Sequence, residues 1–248
     1  MTGPGRGKPL GQFAIATGAA AALALGAAGL ALAHGDVAPQ PVETGALPEL
    51  GEDWLTENPY RDAGPEVWAE AIAIGDSGYN QNCARCHGLG VISGGLAPDL
   101  RYLEAEEYGD EWYAERFRTG YTQNGITKMP AFGELLGQKA AWAIRTYIET
   151  RPDDGAMDAH ADRLKAIRDA LSAMDAAAPD ADAAAGPDPA AVEALRAELE
   201  TIAAEVPTAS GAPVADSAAY RAAARLSGPK ADLNAAAEVL TIGLSAAH

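Results

Sequence analysis

The chain holds two cysteines, Cys83 and Cys86, two residues apart, and His87 follows the second directly. No other pattern in the sequence restricts the fold so strongly. Two thiols at that spacing can reach the two vinyl groups of one porphyrin, and the next-door histidine is then held beneath the iron. Cys83-Ala84-Arg85-Cys86-His87 therefore reads as the attachment site of one covalent haem c, with Cys83 and Cys86 as thioether donors and His87 as proximal ligand. The tether also offsets a small protein core. A thioredoxin-like redox pair would sit between a strand and a helix and has no use for His87. A four-cysteine zinc site needs a second cysteine pair, which the chain lacks.

The rest of the 248 residues divides by composition. Of the 15 aromatic residues, only Phe13 and Tyr220 fall outside positions 34–152. Large side chains dominate core burial, so this region is the expected globule. Residues 34–64, rich in Pro, Gly and acids, read as an extended arm anchored by Trp54 and Tyr60. Gly64-Pro65-Glu66 opens a helix, and 65–152 is the expected cytochrome domain. Residues 88–100 and Asn124 to Phe132 read as loops. Asp110 is expected to cap a helix carrying Trp112, Tyr113 and Phe117 and ending near Gly120. Leu135 to Thr150 reads as a long helix with Ala140, Ile144, Tyr147 and Ile148 on its apolar face. Alternating apolar-polar runs are scarce, so the fold class is all-α.

Residues 1–33 carry Arg6 and Lys8 without an acid, then an apolar run closing on Ala31-Leu32-Ala33. This is the pattern of a signal peptide cut before His34, which places the protein in the periplasm. The alternative is an uncut membrane anchor, since Phe13–Ala33 is just long enough to cross a bilayer.

Residues 153–248 form an acidic, Ala-rich C-terminal extension, either helical or partly disordered. Leu164, Ile167, Leu171 and Met174 make one helical stripe; Val192, Leu195, Leu199 and Ile202 make another, opened by Asp188-Pro189. Ala176–Gly186 reads as a linker and Val206–Ser217 as a second break. Weaker helical stretches follow around Tyr220–Leu226 and Asp232–Leu244. Alanine favours helix but buries little, so such helices need partners.

With the leader removed, three methionines remain: Met129, Met157 and Met174. Met129 precedes Pro130 in a loop before the last core helix, where a thioether can cover the open iron face; the other reading is that it only packs. Met174 lies on an apolar stripe, which favours packing. His34, His160 and His248 are expected in solvent. Met129 and His87 together would raise the reduction potential and suit an electron carrier.

Gly75 and Tyr79 precede Cys83 by eight and four residues, a spacing that resembles class I cytochromes c. In that family these positions let the first helix cross the last closely, with Ile144 and Tyr147 as partners. Gly95-Leu96-Ala97-Pro98-Asp99-Leu100 is similar to the segment whose proline carbonyl accepts a hydrogen bond from the proximal histidine, which implies that role for Pro98. His34-Gly35-Asp36-Val37-Ala38-Pro39-Gln40, Asn58-Pro59-Tyr60-Arg61, Gly78-Tyr79-Asn80-Gln81-Asn82 and Trp142-Ala143-Ile144-Arg145-Thr146-Tyr147 resemble PedF-type cytochromes c. That resemblance spans 34 to about 151 and leaves the extension without a counterpart. It implies a one-electron carrier, not an enzyme, taking electrons from a pyrroloquinoline-quinone (PQQ) alcohol dehydrogenase and passing them to a downstream cytochrome or oxidase. Alternatives are an electron donor to a terminal oxidase or other dehydrogenase, or an open-site haem protein if Met129 is not a ligand. In a further reading the extension docks the partner, and a cut after Pro152 would then abolish binding while leaving the haem spectrum unchanged. The net charge of −17 excludes a general nucleic-acid binder and favours a partner with a basic docking face.

Overall fold

The computed structural model describes residues 1–3, 39–177, 187–228 and 231–246. The chain divides into Met1–Ala38 and Pro39–His248. The expected leader 1–33 lies, apart from residues 1–3, outside the described residues, as do His34, His248 and most of the Ala176–Gly186 linker. The second unit is mostly helical and carries Cys83, Cys86 and His87.

Helix α1 (Pro65–Asn82) opens on its proline with Glu66 in the first turn, and it buries Trp68, Ala71, Ile72, Gly75, Gly78 and Tyr79. It crosses helix α4 (Gly133–Glu149). Gly75 is the point of contact: a Cβ there would stand 2.0 Å from the Ala143 carbonyl oxygen and 2.8 Å from Tyr147 Cβ. Ile144 packs over Gly78, and the Tyr79 and Tyr147 rings meet at 5.4 Å between centroids. The pairing implied by the resemblance is the one observed. Gly75→Ala is therefore expected to force the helices apart at a cost of about 1–3 kcal/mol, read as a lower urea midpoint with an unchanged slope.

Between these helices run a single turn α2 (Ala84–His87), two 3-10 turns at Leu89–Val91 and Leu100–Tyr102, and helix α3 (Glu107–Thr119). Two expectations need correction. Asp110 does not cap α3, which begins three residues earlier; it lies inside the helix, fully buried. The 124–132 loop is in part a hairpin of β1 (Tyr121–Gln123) and β2 (Ile126–Met129). Asn124 and Gly125 take positive φ values of 51° and 75°, as a tight two-residue hairpin turn requires.

The arm lies over this core. Leu47 and Tyr60 are buried, and Trp54 packs against the cluster that also holds Phe117, Trp142 and Tyr147. Gln138 serves the arm's backbone, donating to the Gly51 and Asp53 carbonyls at 2.9 and 3.0 Å. Arm, α3 and α4 meet in one buried polar cluster. Arg145 Nε donates to Asp110 Oδ1 at 2.7 Å. Arg61 donates to Asp110 Oδ2 and Glu149 Oε2, each at 2.8 Å. Asn58 donates its backbone N–H to Asp110 Oδ2 at 2.9 Å and its amide to Glu149 and Thr146 at 3.0 Å.

The extension contributes helices α5 (Ala161–Ala177), α6 (Pro189–Glu205), α7 (Ala218–Leu226) and α8 (Leu233–Ala246). The two leucine-rich stripes meet in a second core built from Leu164, Leu171, Leu199, Ile202 and Leu240, with alanines of α7 and α8 allowing close approach. Asp188 caps α6 through the Ala190 N–H. His160 is more buried than expected: its side chain is 12% exposed and its Nδ1 stands 3.6 Å from Glu205.

The segment between α6 and α7 binds the end of α4. The last carbonyls of a helix have no partner within it. Here Glu149 O accepts from Ser210 Oγ at 2.6 Å, Thr150 O from Asp216 N at 2.8 Å and Arg151 O from Ala209 N at 3.3 Å. Trp68 and Tyr220 meet edge to face at 5.3 Å. A cut after Pro152 would therefore strip partners from the helix carrying Tyr147, so it also perturbs the haem-binding region. Arg151 and Arg221 both donate to Asp216. Burial alone would raise the Asp216 carboxyl, but these guanidinium contacts bring it below its ordinary range. A depressed folded value gives stability that is present above the ordinary value and lost as pH falls through the folded one. The 206–217 segment is expected to become cleavable by an acid-active protease as pH falls below the ordinary carboxylate range, and Asp216→Asn to be cleaved at neutral pH by a neutral protease that spares the unaltered chain.

Candidate functional site

The haem motif lies where α1 ends. Cys83 flanks both α1 and the single turn α2, which carries Cys86, exposed, and His87, half-buried. No disulfide joins the two cysteines. Burial, and then the neighbouring Cys86, pushes the Cys83 thiol up to about 12. Tyr79 fixes the exit from the motif, donating its hydroxyl to Gly88 O at 2.8 Å. Gly88 has φ 86°, and a Cβ there would collide with Ile92 O at 1.8 Å.

His87 Nδ1 stands 2.9 Å from Pro98 O. A carbonyl only accepts, so Nδ1 carries the proton and Nε2 keeps its lone pair for a metal. The Pro98 segment is itself held firmly. Ser93 Oγ donates to Ala97 O at 2.5 Å, Ser93 N to Asp99 Oδ2 at 3.3 Å, and Arg101 closes on Asp99 at 2.8 Å. Burial would raise the Asp99 carboxyl, but Arg101 and the backbone N–H groups of Arg101 and Ser93 lower it. The proline picked out by resemblance thus makes the contact expected of it.

Met129 ends β2, half-buried against the first core, with Tyr121 as its strand partner. Gly120 lies so close to it that a Cβ would stand 2.4 Å from Met129 O. Met157 and Met174 pack against the second core instead. Sequence reading misses the hairpin that holds Met129; the Asn124-Gly125 pair is the signal for it.

The residues present fit a haem. Two thiols stand at either end of one turn, an imidazole is oriented by its far nitrogen, and a thioether lies on a separate element. Large apolar side chains are exposed on the segments following His87 and around Met129: Leu89 and Leu96 at 77% and 76%, with Ile92, Ile126 and Leu135. Exposed apolar side chains of this size on the segments that carry His87 and Met129 suit contact with an apolar ligand. Among the described residues no His, Cys, Asp and Glu group could hold a bare metal ion.

A fold that crosses its first and last helices at a glycine, with Cys-x-x-Cys-His at the end of the first, defines a c-type cytochrome. The chain belongs to the c-type cytochrome family, as an electron-transfer protein with covalently bound haem c and not an enzyme. A family model described as cytochrome c oxidase, cbb3-type, subunit III matches residues 70–148. A cytochrome c550 of Pseudomonas aeruginosa is 51% identical over 124 residues, covering 49% of this chain and 83% of that protein. Two quinohemoprotein alcohol dehydrogenases of Pseudomonas putida, ADH IIB and ADH-IIG, are 32% and 30% identical over 93 and 84 residues. Those stretches cover 37% and 34% of this chain but only 13% and 11% of the dehydrogenases. No solved structure matches. No helix among the described residues is long and apolar enough to cross a membrane.

Proposed function

We infer that this cytochrome is a periplasmic carrier that takes electrons one at a time from a PQQ-dependent alcohol dehydrogenase and passes them to a downstream cytochrome or oxidase. The observation that carries the site assignment is the 2.9 Å contact between His87 Nδ1 and Pro98 O. In this reading Cys83 and Cys86 form the thioethers, and His87 and Met129 are the axial ligands. Haem, when bound, supplies an iron that cycles between the ferric and ferrous states.

The chain's own residues set the conditions for that cycle. Pro98 O fixes the tautomer and ring plane of His87 and strengthens its Nε2 as a donor. Met129 is a neutral, soft donor, which favours the ferrous state and raises the potential. Its strand pairing and Pro130 limit how far it can swing. The exposed apolar residues near the site would cover part of the bound group and leave less water to reorganise when charge moves.

Support for the partner comes from likeness to stretches of two enzymes whose names join a quinone, a haem and alcohol oxidation. Oxidising an alcohol to an aldehyde releases two electrons and two protons, so two cytochromes are reduced per alcohol. The test mixes oxidised cytochrome with a PQQ alcohol dehydrogenase and alcohol under anaerobic conditions. The expected result is haem reduction at two equivalents per alcohol consumed. An intact haem that stays oxidised would rule out this partner.

A further inference from the structure

The backbone segment that faces His87 is gripped by the C-terminal extension. Pro98 O stands 2.9 Å from His87 Nδ1, and Asp99 follows it directly. The Asp99 carboxylate accepts from Arg101 Nε at 3.1 Å and from Nη2 at 2.8 Å. The other arm of the same guanidinium, Nη1, donates to Asp154 Oδ1 at 2.6 Å. Tyr102 Oη donates to the second Asp154 oxygen at 3.1 Å. Asp154 belongs to the extension, which the resemblance to cytochromes c does not cover. Two backbone bonds reinforce the grip. Ala105 N donates to Ser210 O and Asp153 N to Pro207 O, each at 3.0 Å.

Arg101 is suited to link the two parts. Its side chain is only 5% exposed, so its charge has left water and depends on the carboxylates that meet it. A planar guanidinium engages two carboxylates in fixed directions, which an ammonium does not. Asp99 passes the constraint on, because it also accepts from Ser93 N, while Ser93 Oγ donates to Ala97 O. The backbone from Ala97 to Asp99 is therefore placed by where Arg101 is held. A hydrogen bond weakens steeply as its distance and angle depart from the optimum. Small shifts of Pro98 O thus alter how firmly it holds the Nδ1 proton of His87.

We propose that Asp154 of the extension is a positioning residue for His87: through Arg101 and Asp99 it holds the Pro98 carbonyl on Nδ1 and thereby lowers the reduction potential. This rests on the reading of His87 as an iron ligand. A firm bond at Nδ1 makes Nε2 the stronger donor. A stronger nitrogen donor favours ferric over ferrous iron, and a loosened bond does the reverse. The extension acts on the site without touching it. Its carboxylate fixes Arg101, and Arg101 fixes the loop that orients the ligand.

The test is a redox titration of the full-length haem protein, together with NMR exchange of the His87 Nδ1 proton against deuterium in the ferrous state. Asp154→Ala removes a side chain that is 67% exposed, so folding is little threatened. The expected result is a proton that exchanges at least tenfold faster and a higher midpoint potential. Arg101→Lys keeps the charge, loses the fork and should move both in the same direction. Asp153→Asn is the control for charge. It removes one carboxylate next door while an asparagine there keeps the bond to Asp154 N. It should leave the exchange rate unaltered and raise the potential less. An unaltered exchange rate in Asp154→Ala or in Arg101→Lys overturns the proposal. So does a potential that rises no further in Asp154→Ala than in Asp153→Asn. The NMR spectrum of the unaltered protein, recorded first, tests the ligand reading separately. His87 ring protons without the large upfield shift of an axial ligand would overturn that reading, and the proposal with it.

Discussion

Met129→Ala is expected to leave the haem attached and to lower its midpoint potential by on the order of 0.1–0.2 V, a part of the ~0.8 V that axial ligands can span. Attachment depends on Cys83 and Cys86, which the change does not touch. The potential falls because the thioether is a soft donor that favours ferrous over ferric iron, and its loss opens a coordination position. Met157 and Met174 are not placed to substitute, since both pack against the second core. A redox titration followed by absorbance checks this. An unchanged potential with an unchanged thioether-iron band would show that Met129 only packs.

Asp110→Ala is expected to cost about 3–5 kcal/mol, a large part of the ~5–15 kcal/mol that holds a typical domain folded. Asp110 is fully buried and faces Arg145 at 2.7 Å and Arg61 at 2.8 Å, with the Asn58 N–H on the same oxygen as Arg61. Removing it leaves the buried Arg145 guanidinium short of its carboxylate and frees the arm from α3 and α4. Asp110→Asn keeps the shape but not the charge and should lose somewhat less. Urea unfolding of both variants, followed by the haem absorbance, measures the effect. A loss below about 1 kcal/mol for Asp110→Ala would mean that the cluster behaves as a solvated surface pair.

The contrast between these two residues shows what is legible in advance. Met129 stands out because few soft donors exist in the chain. Asp110 reads as a cap because local chemistry favours aspartate at helix starts. Nothing near it in sequence announces Arg61, 49 positions before, or Arg145, 35 after. Pro98 is found by resemblance, and its carbonyl stands 2.9 Å from His87 Nδ1. The hairpin escapes a loop reading although Asn124-Gly125 encodes its turn. The extension's stripes are visible, but not that the stretch after α6 supplies partners for Glu149, Thr150 and Arg151.

Sequence alone determined the features that depend on short-range spacing. These are the haem-attachment motif Cys83, Cys86 and His87 and helices from apolar periodicity; the close crossing at Gly75 came with the resemblance that its spacing to Cys83 carries. Chemistry at fixed offsets along one chain is local, so it survives without knowledge of the fold. Only the tertiary structure decided that Asp110 is a buried hub, that Ser210 and Asp216 close the end of α4, and that Asp154 meets Arg101. Those outcomes depend on which distant groups share a desolvated space, where an unpaired charge or carbonyl is costly enough to select its partner.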